Sequence, residues 1–216
     1  MGGVRAKVCA RAAKVVDSGA SFCCVGAGAR GLGRRSAEAT IAASFTTHDA
    51  HAMADPDDAS HDGGCTCRAV RYRMSRRPLF VHCCHCTWCQ RETGSALVLN
   101  AMIESDAVTL LSSAPEAVTT PTASGAGQTI ARCPTCKVAV WSHYAGGGEA
   151  IRFVRVGTLD DPSRLPPDVH IFTSTRAPWL TLPADVPAVP EYYDRKTLWP
   201  AASLARLATL RAHTQR

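Results

Sequence analysis

The sequence predicts a mainly β domain held together by metal–thiolate clusters, with a short helix at its C-terminal end. Three observations predict it: short β-like runs broken by turn residues, cysteines grouped at metal-ligand spacings, and a leucine periodicity confined to the end of the chain. Val70 to Met74 and Ile151 to Val156 alternate in polarity. Leu97 to Ile103, Val108 to Leu111, Gln128 to Arg132, Val138 to Trp141 and His170 to Thr173 are further strand candidates. Gly146-Gly147-Gly148, Asp160-Asp161-Pro162 and Pro166-Pro167 punctuate them, and runs this short favour antiparallel sheets over βαβ units. Beyond Lys196, Leu198, Ala201, Leu204, Leu207 and Leu210 recur three apart. With Pro200 near the start, they predict a short amphipathic helix carrying Arg206 and Arg211.

Three segments follow. Residues 1–60 form an N-terminal extension, 61–195 the metal-binding domain and 196–216 a basic helical tail. The first 50 residues hold 12 Ala and 7 Gly, with few large side chains to bury and no sustained period, which predicts disorder. An Arg-rich organelle presequence would share this composition. Translation beginning at Met53 is the simpler expectation.

The chain has 216 residues and a formal charge of +6, which permits nucleic-acid contact but does not argue for it. Its longest apolar runs, such as Ala96 to Leu99, are far too short to cross a bilayer. Eleven cysteines are the outlying number. An odd count, with Asp17 interrupting the only signal-like apolar run, favours a reducing, cytoplasmic location with thiolate metal ligands over a disulfide framework.

Three cysteine groups carry the chemistry: Cys65-Thr66-Cys67, Cys83-Cys84-His85-Cys86-Thr87-Trp88-Cys89 and Cys133-Pro134-Thr135-Cys136. Zinc–thiolate bonds of about 2.3 Å in a tetrahedral site put ligand sulfurs about 3.7 Å apart. A C-x-x-C turn reaches that spacing with its N–H groups facing the sulfurs. A C-x-C in extended chain puts both side chains on one face, about 6.6 Å apart at the backbone, and rotamers close the gap. Cys65, Cys67, Cys133 and Cys136 thus make a closed four-thiolate set of the structural zinc type. Cys84, Cys86 and Cys89 make a three-ligand set, giving two zinc ions per chain. His82, Cys83, His85 or His143 could fill the fourth position. Cys83 leads the C-x-C out of register and reads as a spare buried thiol, whereas His85, between two ligands, points to the opposite face. Arg68, Arg71, Arg73, Arg76 and Arg77 form either a solvated face or a counter-charge for an anionic substrate or for the thiolate centres. Cys9, Cys23 and Cys24 have no partner at metal spacing.

These motifs resemble the glutathione-dependent formaldehyde-activating enzyme family, which also includes centromere protein V. The resemblance rests on Gly63-Gly64-Cys65-Thr66-Cys67 with Val70-Arg71-Tyr72, on Cys84 to Arg91 with Thr93-Gly94-Ser95-Ala96, and on Cys133 to Cys136. Val156 to Pro162 and His170-Ile171-Phe172 extend it, so that it covers roughly residues 61–195. It implies a β-tent of curled antiparallel sheets, a structural zinc on Cys65, Cys67, Cys133 and Cys136, and a second zinc on Cys84, Cys86 and Cys89. The implied activity is a carbon–sulfur lyase reaction, the reversible addition of glutathione to formaldehyde giving S-hydroxymethylglutathione. Its partners would be a small thiol such as glutathione and a small aldehyde, with Thr93, Gly94 and Ser95 available to orient them. A non-catalytic zinc-binding interaction module is the competing expectation. The chain departs from the family at Arg68 and Lys137, where glycine is common after each structural cysteine pair, and at Arg132, often aromatic. Glycine eases a positive backbone angle, so these knuckles are expected to be strained or differently turned.

Overall fold

The structure is a computed structural model that describes residues 60–122 and 124–214, all within one compact unit. The expectations for the N-terminal extension, with Cys9, Cys23 and Cys24, lie outside the described residues. Among the described residues the fold is mainly β, with two sheets. In the smaller, β2 (Arg71–Met74) pairs antiparallel with both β1 (His61–Gly64) and β5 (Val108–Leu110). The larger runs β10 (Val169–Ile171), β3 (Phe80–Cys84), β4 (Val98–Glu104), β9 (Ile151–Arg155), β8 (Ala139–Tyr144), β7 (Gln128–Arg132) and β6 (Glu116–Thr120). One pairing departs from the expected antiparallel sheets. β10 lies parallel to β3, which its long connection allows because no tight hairpin has to join the two.

Side-chain alternation along the central strands makes two cores. On β4, Ala101 and Ile103 join Tyr72, Met74, Trp141 and Val154 in a first core, with Tyr72 edge-on to Trp141. Val98 and Met102, one residue out of phase, join Phe80, Cys84, Ile151 and Ile171 in a second. Strands buried on both faces show no polar–apolar alternation, which is why β3 gives no periodic signal in the sequence. β1 is hidden for another reason: Gly63 and Gly64 are poor strand formers. They stand where a Cβ would lie 2.6 Å from the Tyr72 hydroxyl and 2.3 Å from the Val70 carbonyl respectively.

The expected C-terminal helix is present as α3 (Ala201–Thr214), preceded by the single turn α2 (Arg195–Leu198); the earlier helix α1 spans Thr87–Thr93. Helix α3 covers the second core. Leu207 is buried there with Trp199, and Leu204 and Leu210 pack at the margin. Arg206 grips the buried Glu104 carboxylate through Nε at 2.9 Å and Nη2 at 2.6 Å, and donates to the Arg77 carbonyl. A paired carboxylate can be buried where an isolated one could not. Leu207→Ala should therefore lower stability by about 2–4 kcal/mol in denaturant unfolding. A loss within experimental error would mean that α3 does not cover the core in solution.

Candidate metal centres

The first centre joins the two sheets. Gly64 ends β1 and delivers Cys65 into a tight loop in which the Cys65 N–H donates to the Val70 carbonyl and the Arg68 N–H to the Cys65 carbonyl. Across the domain, the register shift between β7 and β8 at Ala131/Arg132 opens the hairpin into Cys133-Pro134-Thr135-Cys136. There the Lys137 N–H donates to the Cys133 carbonyl. The four sulfurs of Cys65, Cys67, Cys133 and Cys136 all lie within 4.8 Å of one another, with Cys65–Cys67 at 3.5 Å and Cys67–Cys133 at 3.6 Å. Those edges fit a tetrahedral thiolate site of about 3.7 Å. Backbone N–H groups point at the sulfurs, Val70 to Cys65 at 3.3 Å, and Thr135 and Cys136 to Cys133 at 3.4 and 3.5 Å. Such donors stabilise thiolates, and backbone N–H bonds from Cys67 and Val138 lower the Cys136 thiol to about 6.

Both knuckles turn left-handed at a residue that is not glycine, with Arg68 at φ 64° and Lys137 at φ 61°. The conformation that favours glycine is thus kept and its cost is borne by side chains. Arg132 has found other work. Its guanidinium pairs with Glu92 on α1 and donates to the Lys137 carbonyl at 3.0 Å, tying the knuckle to the helix of the second centre.

That second centre lies where β3 runs into α1. Cys84 ends the strand, Cys86 caps the helix by accepting the Cys89 N–H at 3.4 Å, and Cys89 sits in the first turn. Their three sulfurs lie within 4.8 Å of one another. Hydrogen bonds from Cys84 and Cys89, then the Cys89 and Trp88 N–H groups, hold the Cys86 thiol far below its ordinary range. Gln90 braces the turn by donating to the His85 and Thr175 carbonyls at 2.7 and 2.9 Å. The three sulfurs thus sit on a fixed frame.

Cys84 and Cys89 open onto a cavity of about 410 Å³. Its walls are chiefly apolar, with Met102, Phe153, Phe172 and Tyr192 among them, and Arg195 supplies a cation. Phe172 is held at φ 56°, an uncommon angle for a bulky residue, where its N–H donates to the Glu191 carbonyl and its carbonyl accepts from Thr175. That turn ends β10, so the expected strand His170 to Thr173 stops early. His82 also lines the cavity. Burial and then the Arg195 charge lower it to about 4, leaving it neutral, while its Nε2 meets the Tyr193 hydroxyl at 2.8 Å. A wider groove of about 520 Å³ beside α1 contains no cysteine.

Three readings of the sequence need correction or completion. None of the four candidates for the fourth position of the triad joins its sulfur cluster. His143 donates to the Ile151 carbonyl, His82 is held by Tyr193, and Cys83 and His85 face the other side of β3, against His170. Thr93 is not among the residues lining this cavity. Its hydroxyl donates to the Cys89 carbonyl and its side chain borders the wider groove. The arginine cluster is a solvated face, with Arg71 paired to Asp160, Arg73 to Asp62 and Arg76 to Asp106. Arg195 lines the cavity onto which Cys84 and Cys89 open, and the buried Arg155 donates to Asn100 and to Ser142 while its charge reaches Cys89. Arg155 ends β9, inside the alternating run Ile151 to Val156. A charge on a strand otherwise bound for the core was the signal that could have found it.

A profile of the glutathione-dependent formaldehyde-activating enzyme family matches residues 60–175. The chain belongs to that family. No curated protein sequence matches the chain. Among solved structures, a Rhodobacter sphaeroides protein is similar at 15% identity and a TM-score of 0.37, over 59% of this chain and 99% of that one.

The strained knuckle gives a direct test. Arg68→Gly should hold or raise stability, by up to about 1 kcal/mol, and Arg68→Val should lower it by more than about 1 kcal/mol. Equal melting temperatures for the two variants would mean that the left-handed angle at residue 68 is not maintained.

Proposed function

We propose that the protein is a zinc-dependent carbon–sulfur lyase acting on a glutathione–aldehyde adduct of the S-hydroxymethylglutathione type. Cys65, Cys67, Cys133 and Cys136 would hold a structural zinc, and Cys84, Cys86 and Cys89 a second zinc with an open position. One observation carries this reading. The second centre has three sulfurs, and two of them face a cavity large enough for a small substrate. When bound, zinc supplies a centre that holds a thiol as thiolate at neutral pH.

The chain's own residues account for the rest. Arg195 offers its charge to a substrate carboxylate, and the apolar walls keep water from a small aldehyde released beside the sulfur. Arg155 offsets negative charge gathered at Cys89. In the cleavage direction the C–S bond breaks with its electron pair passing to sulfur. The adduct's hydroxyl then gives up its proton as the aldehyde carbonyl forms. Overall that proton ends on the departing sulfur, giving free thiol and aldehyde, while His82, held neutral on the wall, adds no charge beside them. The eight described cysteines are free thiols, which supports a reducing compartment, and we place the protein in the cytoplasm. No described helix is long and apolar enough to cross a membrane. Residues 61–195 would be the working domain and 196–216 its helical tail.

Protein purified under reducing conditions should contain about two zinc ions per chain. Cys133→Ser should unfold or aggregate, because structural zinc contributes folding free energy directly. Cys89→Ser should melt close to the parent while losing one zinc. Added glutathione should bring a fourth sulfur into the zinc-edge spectrum. By exchange NMR it should reach its equilibrium with formaldehyde faster than without protein, and Cys89→Ser should abolish that acceleration. Arg195→Gln should raise the glutathione concentration for half-maximal rate about tenfold. A zinc shell untouched by millimolar glutathione, with no acceleration, would leave a zinc-binding interaction module.

A further inference from the structure

The C-C-H-C run carries two sets of donors. From Cys83 onward the chain is extended, so Cys84 and Cys86 project to one side and Cys83 and His85 to the other. On the far side a third donor arrives from β10. His170 pairs in register with Cys83, and the His85 N–H donates to the neighbouring Ile171 carbonyl. Cys83 Sγ lies 3.6 Å from His85 Nε2, which lies 3.0 Å from His170 Nδ1, and the three atoms all lie within 4.8 Å of one another. All three residues are buried.

Hydrogen bonding cannot use these groups fully. His85 Nε2 has one position to bond, as a donor or as an acceptor, yet a sulfur and a second ring nitrogen both converge on it. One soft sulfur and two imidazole nitrogens within 4.8 Å of one another are a donor set a metal ion can use. Bonds of about 2.0–2.1 Å to nitrogen and 2.3 Å to sulfur give donor–donor edges of about 3.3–3.8 Å; the sulfur–nitrogen edge of 3.6 Å fits, and the nitrogen–nitrogen edge of 3.0 Å would open by a few tenths of an ångström to admit an ion.

We propose that Cys83, His85 and His170 form a third metal site, built for a soft monovalent cation of the Cu(I) class. Charge selects the ion. One thiolate, two neutral imidazoles and a monovalent cation sum to zero, the total a buried site tolerates best. A divalent ion would leave a net positive charge beside Arg176, whose field acts on both imidazoles. A one-sulfur, two-nitrogen donor set also suits copper in a trigonal arrangement. This site shares the strand of the second zinc centre but none of its ligands, and it does not rest on the proposed lyase activity.

The test uses the full chain with its zinc in place. One equivalent of Cu(I) is offered anaerobically from a competing chelator, and metal content and copper-edge absorption are measured. One copper should be retained per chain, with zinc content unchanged and a shell of one sulfur and two imidazole nitrogens. His170→Ala should weaken retention at least tenfold and remove one imidazole from the shell. Cys83→Ala should remove the sulfur and keep both imidazoles. If His170→Ala fails to fold, the Cys83→Ala spectrum decides alone. Copper found in an all-sulfur shell with zinc released would overturn the proposal. So would a cooperatively melting, zinc-loaded protein that keeps no copper, leaving the three residues as a hydrogen-bonded packing cluster.

Discussion

The fold depends on four sulfurs meeting from two distant stretches of chain. Cys67 and Cys133 are separated by 66 residues in sequence, and bringing them to 3.6 Å closes a loop that contains β2 to β7. The small sheet enters this junction through Cys65 and Cys67, the large sheet through Cys133 and Cys136. Around it lie Val70, Ala131 and Trp141 of the first core, so the sulfur cluster continues the apolar packing. Four thiolates this close would repel one another strongly, so a cation bound at the junction would couple metal to fold.

The second centre inherits its position from that junction. Arg132, next to the knuckle, holds Glu92 on α1, and α1 carries Cys89. One ion pair and one short helix thus link the two centres, and the triad also lies at the edge of the second core.

Much of this was legible in the sequence, and the unread parts have physical causes. Spacing favours grouping the cysteines into a tetrad and a triad, and the sulfurs of each group lie within 4.8 Å of one another. The run Gln128 to Arg132 is a strand with the expected bounds, burying Gln128, Ile130 and Ala131 and leaving Thr129 and Arg132 partly exposed. Helix α1 was not expected, since in Thr87 to Thr93 none of its residues is buried and no apolar stripe marks it. What specifies it is a cysteine cap at one end and Gly94, in a left-handed turn, at the other. The role of His170 could not be read either, because its partners lie more than eighty residues away and meet it only through a parallel strand pairing. Of the five arginines between Arg68 and Arg77, three are engaged by carboxylates, Asp160, Asp62 and Asp106, brought to them by the fold.

Part of the cavity wall has a different origin from the sulfur clusters. All seven cysteines of the tetrad and triad fall inside the stretch that matches the family, 60–175, whereas Tyr192 and Arg195 lie beyond it, in the segment leading to the final helix. Tyr192 and Arg195, a ring and the cation of the wall, are therefore carried on a length of chain separate from the sulfur clusters. Substitutions there would change one side of the cavity while every cysteine keeps its place. That side can be varied, in nature or by design, without touching a sulfur.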